Sequence, residues 1–101
     1  MSGPMWKNVY SLSENQISAL DRAEEHMQML EINEAEEILK KLIQGDSDCI
    51  PALNNLAHLY GRYLSDFDLA IDYYERVLIL EPDNAWARDE RRRYRRYQTY
   101  D

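Results

Sequence analysis

The chain has 101 residues, the length of one small domain, and 45% of them are hydrophobic while 31% are charged. Its net charge of −7 conceals an acidic body, with 6 basic and 16 acidic residues up to residue 87, and a basic tail, with 6 Arg and 3 acidic residues after it. An acidic body repels phosphates and therefore disfavours broad nucleic-acid binding.

The first predicted helix follows an N-terminal segment of residues 1–12. Ser13 and Gln16 have the spacing of a capping box, in which each residue bonds the backbone N–H of the other. The apolar periodicity then predicts a helix over about 14–30.

A second helix is predicted from Asn33 and Glu36, which repeat the capping spacing. Its apolar face includes Ala35 and Leu39, and it ends near Gly45. These two helices are expected to form a hairpin.

A third and a fourth helix form a second predicted hairpin. Pro51 is tolerated only in a first turn, so the third helix is expected from about Pro51 to Tyr63. Ser65 is the predicted cap of the fourth helix, and Pro82 marks its end.

A fifth helix is predicted from about Asn84 towards Tyr97, with Asp83 as its cap. No stretch alternates apolar and polar residues over the length of a strand. The predicted fold class is therefore all-α, with about five helices.

The second hairpin, which contains "LNNLAHLYGRYLSDFDLAIDYY", has a regular spacing of small and large apolar residues. The residues that carry the spacing are Leu53, Leu56, Ala57, Tyr60, Ala70, Tyr74 and Pro82. This pattern resembles the tetratricopeptide repeat. It departs from the family in having Leu53 and Ala57 where Trp and Gly are frequent, and in an inter-helix turn that we expect to be one residue longer.

The resemblance implies a right-handed helical-hairpin solenoid over residues 13–101. Repeat one covers about 16–49, repeat two about 50–84, and a capping helix about 84–98. In repeat one, Ala35 takes the place of Ala70, Leu39 that of Tyr74, and Ala23 is the small residue of the first helix. Small residues let antiparallel helices approach closely, while Tyr60 and Tyr74 are expected to fill the space between successive hairpins.

The resemblance further implies a protein-interaction module, an adaptor or scaffold that holds a partner peptide or helix in its concave groove. The matching groove positions are Asn54, Asn55, His58, Arg62, Trp86, Asp89 and Arg93. Amide side chains both donate and accept, which suits a partner backbone. Chaperone co-factors with this fold hold a partner's C-terminal carboxylate in a clamp of Lys, Asn and Arg side chains. Asn55 matches the middle Asn of that clamp, but the other clamp positions hold Leu20, Glu24, Trp86 and Glu90, so the clamp is absent.

Two alternatives remain open from the sequence. Two repeats leave apolar surface uncovered, so the chain is also a candidate homo-oligomer, with Trp6, Val9 and Tyr10 either folded over the first repeat or engaging a second chain. The Arg-rich tail could grip single-stranded nucleic acid with its tyrosines. The expectation we favour is a cap with Trp86, Ala87, Tyr94 and Tyr97 inward and its arginines outward or against the acidic body.

No residue pattern supports catalysis, a cofactor or a metal. His26 and His58 have no second ligand one turn away, and the three glycines form no phosphate loop. The chain shows neither a signal-peptide pattern at its start nor an apolar run long enough for a membrane. With one free thiol, these features lead us to expect a cytoplasmic location.

Overall fold

The computed structural model describes residues 10–99, which form helices and turns with no strand. The helices are α1 (Glu14–Gln28), α2 (Ile32–Gly45), α3 (Ile50–His58), α4 (Phe67–Leu80) and α5 (Ala85–Thr99), and a π-helical turn, Leu59–Tyr63, continues α3. Successive helices pack on one another: α1 on α2, α2 on α3, α3 on α4, and α4 on α5. The predicted all-α helical-hairpin fold is confirmed. Trp6, Val9 and Tyr100 lie outside the described residues.

The start of α1 follows the predicted capping box. The backbone N–H of Gln16 donates to Ser13 Oγ at 3.1 Å, and that of Ser13 donates to Gln16 Oε1 at 2.9 Å. The helix ends two residues before the predicted Leu30, because Leu30 has a left-handed backbone with φ 61°. A residue in this conformation ends an α-helix.

The predicted cap of α2 is wrong. The cap residue is Glu31, which makes no side-chain capping bond, and Asn33 already lies in the first turn. Glu36 is used elsewhere: its Oε2 accepts a 2.5 Å hydrogen bond from the Tyr60 hydroxyl and lies 3.2 Å from Lys40 Nζ. Tyr60 thereby joins the second hairpin to the first, as predicted from its position in the pattern.

The extra residue of the second hairpin lies inside a helix and not in the turn. The turns of both hairpins span three residues, 29–31 and 64–66, and in each the middle residue is left-handed, Leu30 at φ 61° and Ser65 at φ 52°. Pro51 is in the first turn of α3, as predicted, but beyond His58 the helix widens into the π-helical turn. A π-turn accommodates one additional residue within a helix.

The caps of α4 and α5 each lie one residue after the predicted one. Asp66 Oδ1 accepts from the backbone N–H of Leu69 at 3.2 Å, and Asn84 Oδ1 accepts from that of Ala87 at 2.9 Å. Ser65 cannot serve as the cap because its left-handed backbone departs from the extended conformation that a cap residue adopts. Asp83 lies in the preceding turn.

The core is built where small residues allow close helix contact. Six fully buried alanines belong to it: Ala23, Ala35, Ala52, Ala57, Ala70 and Ala87. Leu39 and Tyr74 are also fully buried, as predicted for equivalent positions. Tyr74 stacks on Tyr94 of α5, with ring centroids 6.3 Å apart, and so joins α4 to the last helix.

The inward face of α5 differs from the predicted one. Ala87 and Tyr94 are buried as predicted, but Trp86 is 54% exposed and Tyr97 is 42% exposed. Glu90 takes an inward position instead, with only 3% exposure. Ala87, Glu90 and Tyr94 are three and four residues apart, which is the spacing of one helix face.

Candidate functional site

A cavity of about 510 Å³ lies between α3 and the start of α5. Its lining residues are Tyr10, Pro51, Asn54, Asn55, His58, Asn84 and Trp86. Four of the seven predicted groove residues are therefore brought together here. We call this space the α3–α5 cavity.

Local structure explains how the lining residues share one face. Pro51, Asn54, Asn55 and His58 recur at helical spacing along α3, so their side chains point to the same side. Across the cavity, the Asn84 cap fixes the first turn of α5, where Trp86 lies.

Three donors that line the α3–α5 cavity, on Tyr10, Asn55 and Asn84, are directed at carboxylates. Glu81, which caps the C-terminus of α4, accepts at Oε1 from the Tyr10 hydroxyl at 2.8 Å and from Asn84 Nδ2 at 2.9 Å. Asn55 Nδ2 donates to Glu24 Oε2 of α1 at 3.4 Å. Burial, followed by the bond to Glu81, raises the pKa of Tyr10 to about 12. The phenol is therefore neutral and remains the donor in this bond.

Two polar atoms in the lining residues are buried without a hydrogen-bond partner in the described part of the chain, Asn54 Oδ1 and His58 Nδ1. Burial lowers the pKa of His58; the nearby Arg62 acts in the same direction, and the Glu90 carboxylate opposes both. The imidazole is therefore uncharged near neutral pH, because its ordinary pKa is already about 6.5.

The remaining predicted groove residues lie elsewhere. Arg62 and Arg93 line a smaller cavity of about 170 Å³ beside the π-helical turn, together with Tyr97. Arg93 Nη2 also lies 3.5 Å from the buried Glu90 Oε1. Asp89 lines neither cavity and pairs with Arg88 at 3.5 Å. The seven predicted residues thus fall into two cavities and one surface pair.

Sequence reasoning did not identify Tyr10, Asn84 or Glu81 as parts of this region, and it considered Glu90 only as a departure from the carboxylate clamp. Tyr10 and Glu81 are 71 residues apart, and no local pattern relates them. Glu90 carried a usable signal, since it lies on the same helix face as Ala87 and Tyr94, both of which were predicted to be buried.

The arginines of α5 form a separate cationic surface, which we call the outer arginine face. It surrounds a concavity of about 380 Å³, and its arginines are Arg88, Arg91, Arg92, Arg95 and Arg96. Glu75 of α4 lies 2.8 Å from Arg95 Nη2 and 3.8 Å from Arg91 Nη1. Tyr94 is turned into the core, where it stacks on Phe67 at 5.6 Å, and is not available to stack on a base.

Other chemistry-bearing groups are scattered. Among residues 10–99, no three His, Cys, Asp or Glu side chains are grouped so that they could hold a metal ion. His26 Nδ1 lies 2.8 Å from Glu31 Oε1 at the first inter-helix turn. Cys49 is buried, and burial raises the pKa of its thiol. Within the same described range, no helix has the length and apolar content needed to cross a bilayer.

Comparison with protein families gives a match for the second hairpin. No curated protein matches the chain. Residues 50–84, which hold α3, the π-helical turn and α4, match the family model of the tetratricopeptide repeat. The small size and the helical packing agree with that match, which supports one tetratricopeptide repeat in residues 50–84.

Proposed function

We propose that this protein is an adaptor that holds a segment of a partner protein in the groove between α3 and α5. Tetratricopeptide repeats act in protein–protein interaction in general. The observation that carries the proposal is the α3–α5 cavity, which brings Asn54, Asn55, His58 and Trp86 to one half-open space. Concave spaces of a few hundred Å³ with apolar walls and a few polar groups are typical binding sites.

The chemistry of the cavity suits a peptide. The oxygens of Asn54 and Asn55 are acceptors, which a partner backbone N–H can reach after small side-chain movements. The exposed Trp86 ring offers a large apolar surface that a partner side chain can cover. A partner segment bound along α3 would displace water from the amide oxygens and from the Trp86 ring.

The groove also has polarity along its length, and this gives a bound peptide a direction. Carboxylates contact the lining residues at one end, through Glu81 and Glu24. Arg62 and Arg93 line the neighbouring cavity at the other end. Acidic partner residues fit the arginine end, and basic ones fit the carboxylate end.

We also propose a two-repeat organisation for the domain. The relation between the hairpins is a shift of 35 residues that carries Leu30 to Ser65, Ala35 to Ala70 and Leu39 to Tyr74. Leu30 and Ser65 share a left-handed backbone, and the other two pairs share full burial. On this proposal α1 and α2 are a divergent first repeat, and α5 caps the second. We further propose that the adaptor acts in the cytoplasm.

A matched pair of double variants tests the groove. Asn55→Ala with Arg62→Glu alters the groove, whereas Asn33→Ala with Arg92→Glu makes the same chemical changes at exposed positions on α2 and on the outer arginine face. Tagged full-length protein is used to capture partners from the native lysate, with melting temperature as the fold control. We expect the groove variant to lose its main partner and the surface variant to keep it.

The opposite pattern contradicts the groove proposal. If the groove variant retrieves the same partner at the same yield, another surface carries the interaction. Loss only in the Arg92 variant would identify the outer arginine face, and oligonucleotide binding at two salt concentrations would then test for nucleic acid. Light scattering of the untagged protein tests self-association as the alternative use of the groove.

A further inference from the structure

We propose that the α3–α5 cavity takes an arginine side chain of the partner. This inference rests on the proposed function, because it names the residue that the groove selects. It follows from the acceptors and the aromatic rings of the lining residues and from the carboxylates bonded to them, which all favour a planar cation that donates hydrogen bonds.

The cavity offers acceptors, and three of its donors are already used. The Tyr10 hydroxyl and Asn84 Nδ2 both donate to Glu81, and Asn55 Nδ2 donates to Glu24. A carboxylate has about four lone-pair sites, so Glu81, which bonds two lining residues but does not itself line the cavity, keeps lone pairs after these two bonds. The Asn55 amide oxygen and the buried Asn54 Oδ1, which has no hydrogen-bond partner in the described residues, are acceptors on lining side chains. A ligand group that brings N–H donors therefore suits these acceptors.

The walls of the cavity are suited to a flat cation. Trp86 and Tyr10 line it, and Trp86 is more than half exposed although it is one of the largest apolar side chains. A guanidinium stacks on aromatic faces, with Trp the strongest partner. Its five donors form a planar fork that matches a carboxylate, whereas the ammonium of Lys is a point charge without that fork.

The local charge excludes an acidic ligand at this position. Glu81 and Glu24 are bonded directly to lining residues, and Glu90 lies close enough to act on the imidazole of His58. His58 itself adds no positive charge near neutral pH. A partner carboxylate would meet like charge from these neighbouring carboxylates, which disfavours its binding here.

The test is an NMR titration of the full-length protein with two blocked amino acids. The probe is Nα-acetyl-L-arginine N-methylamide, and the control is the citrulline analogue, which has nearly the same shape but no charge. We expect the arginine probe to shift the Trp86 indole N–H and the side-chain amides of Asn54, Asn55 and Asn84. The citrulline probe should bind roughly tenfold more weakly, since it lacks the charge-assisted and cation–π interactions.

A matched pair of charge variants assigns the effect to the cavity. Glu81→Gln keeps an oxygen that can accept from Tyr10 and Asn84, while Glu37→Gln makes the same change at an α2 carboxylate that is 73% exposed. We expect Glu81→Gln to weaken the arginine probe several-fold and Glu37→Gln to leave it unchanged, with equal melting temperatures. Trp86→Ala should abolish the shifts that the arginine probe causes at the side-chain amides of Asn54, Asn55 and Asn84.

Three results would overturn the inference: equal binding of both probes, shifts confined to another acidic surface, or equal effects of the two Gln variants. Its failure can be separated from failure of the proposed function. If the arginine probe does not bind but the groove variant still loses its partner, the groove is correct and the ligand chemistry is wrong. If the probe binds as expected but the groove variant keeps its partner, the arginine site exists and the groove does not carry the adaptor function.

Discussion

The two hairpins share a plan and differ in how they are closed. Both use a three-residue turn with a left-handed middle residue and a fully buried alanine five residues later, Ala35 in the first and Ala70 in the second. The equivalent large positions differ, because the first hairpin has Leu39 and the second has Tyr74. The shared features set the helix packing, and the differing ones set what each hairpin packs against.

The second hairpin is closed by aromatic rings. Tyr94 of α5 stacks on both Tyr74 and Phe67, and Tyr97 lies 5.7 Å from Tyr94 in an edge-to-face arrangement. Gly61, in the π-helical turn, makes room for the Tyr94 ring, since an added Cβ would lie 2.7 Å from Tyr94 Cε2. The π-turn and the last helix therefore fit each other as one unit, and the first hairpin has no such unit in the described residues.

The largest expected effect comes from removing the ring at the centre of this unit. Tyr94→Ala should lower the free energy of unfolding by about 3–5 kcal/mol, as for other buried aromatic residues. Tyr97→Ala is the control, because Tyr97 is more exposed and should cost much less. Urea denaturation measures both. Equal losses would mean that the rings do not act through burial.

A second pair of variants asks whether the two hairpins are built alike. Ala70→Leu and Ala35→Leu each introduce a large side chain at a fully buried helix contact, and overpacking should cost about 1–3 kcal/mol in each. Thermal melting of both variants provides the measurement. If Ala35→Leu left the melting temperature unchanged while Ala70→Leu lowered it, the first hairpin would not be packed as a repeat.

The glycines give a smaller effect, with opposite signs in the two hairpins. Gly45→Ala at the end of α2 meets nothing within 4 Å and should stabilise the protein by about 0.4–1 kcal/mol. Gly61→Ala gains the same helix preference but forces the buried Tyr94 ring to move, so its net effect should be destabilising by about 1 kcal/mol. Chemical denaturation should place the two variants on opposite sides of the wild type.

Features that depend on residue spacing within one helix could be predicted from the sequence, and features that depend on the turns could not. Helix faces and the sites of close contact, such as Ala57 and Ala70, were readable because they depend on spacing within one helix. The caps at Asp66 and Asn84 were missed by one residue, since a cap depends on the backbone conformation of the turn before it. The π-turn was missed because an extra residue in sequence does not reveal whether a turn or a helix absorbs it.

The candidate site was only partly predictable, for a related reason. Asn54, Asn55 and His58 lie on one α3 face, and helical spacing was enough to group them. The contact of Tyr10 with Glu81 joins the start of the described chain to the end of α4, and only the folded chain brings them together. Arg62 and Arg93 fall into a separate cavity because the helix widens after His58.

The smallest expected effect is a pH dependence that belongs to the second hairpin. His58 has a lowered pKa in the folded protein, so the unfolded chain binds the proton more readily. Stability from this histidine is therefore complete above its unfolded pKa of about 6.5 and declines as the pH falls through the folded value. One proton limits the slope to about 1.4 kcal/mol per pH unit.

The groups that act on His58 define how this prediction is tested. Glu90 of α5 favours the charged imidazole, while burial and Arg62 of the π-turn disfavour it, and burial is the largest of the three. Urea unfolding at pH 7 and at pH 5.5 should show a loss of stability that His58→Gln reduces. His26→Gln, the matched change at the turn of the first hairpin, should retain the loss. If His58→Gln keeps the full dependence, the groove histidine is not the group that titrates, and its burial against α5 does not set the stability of the second hairpin in this pH range.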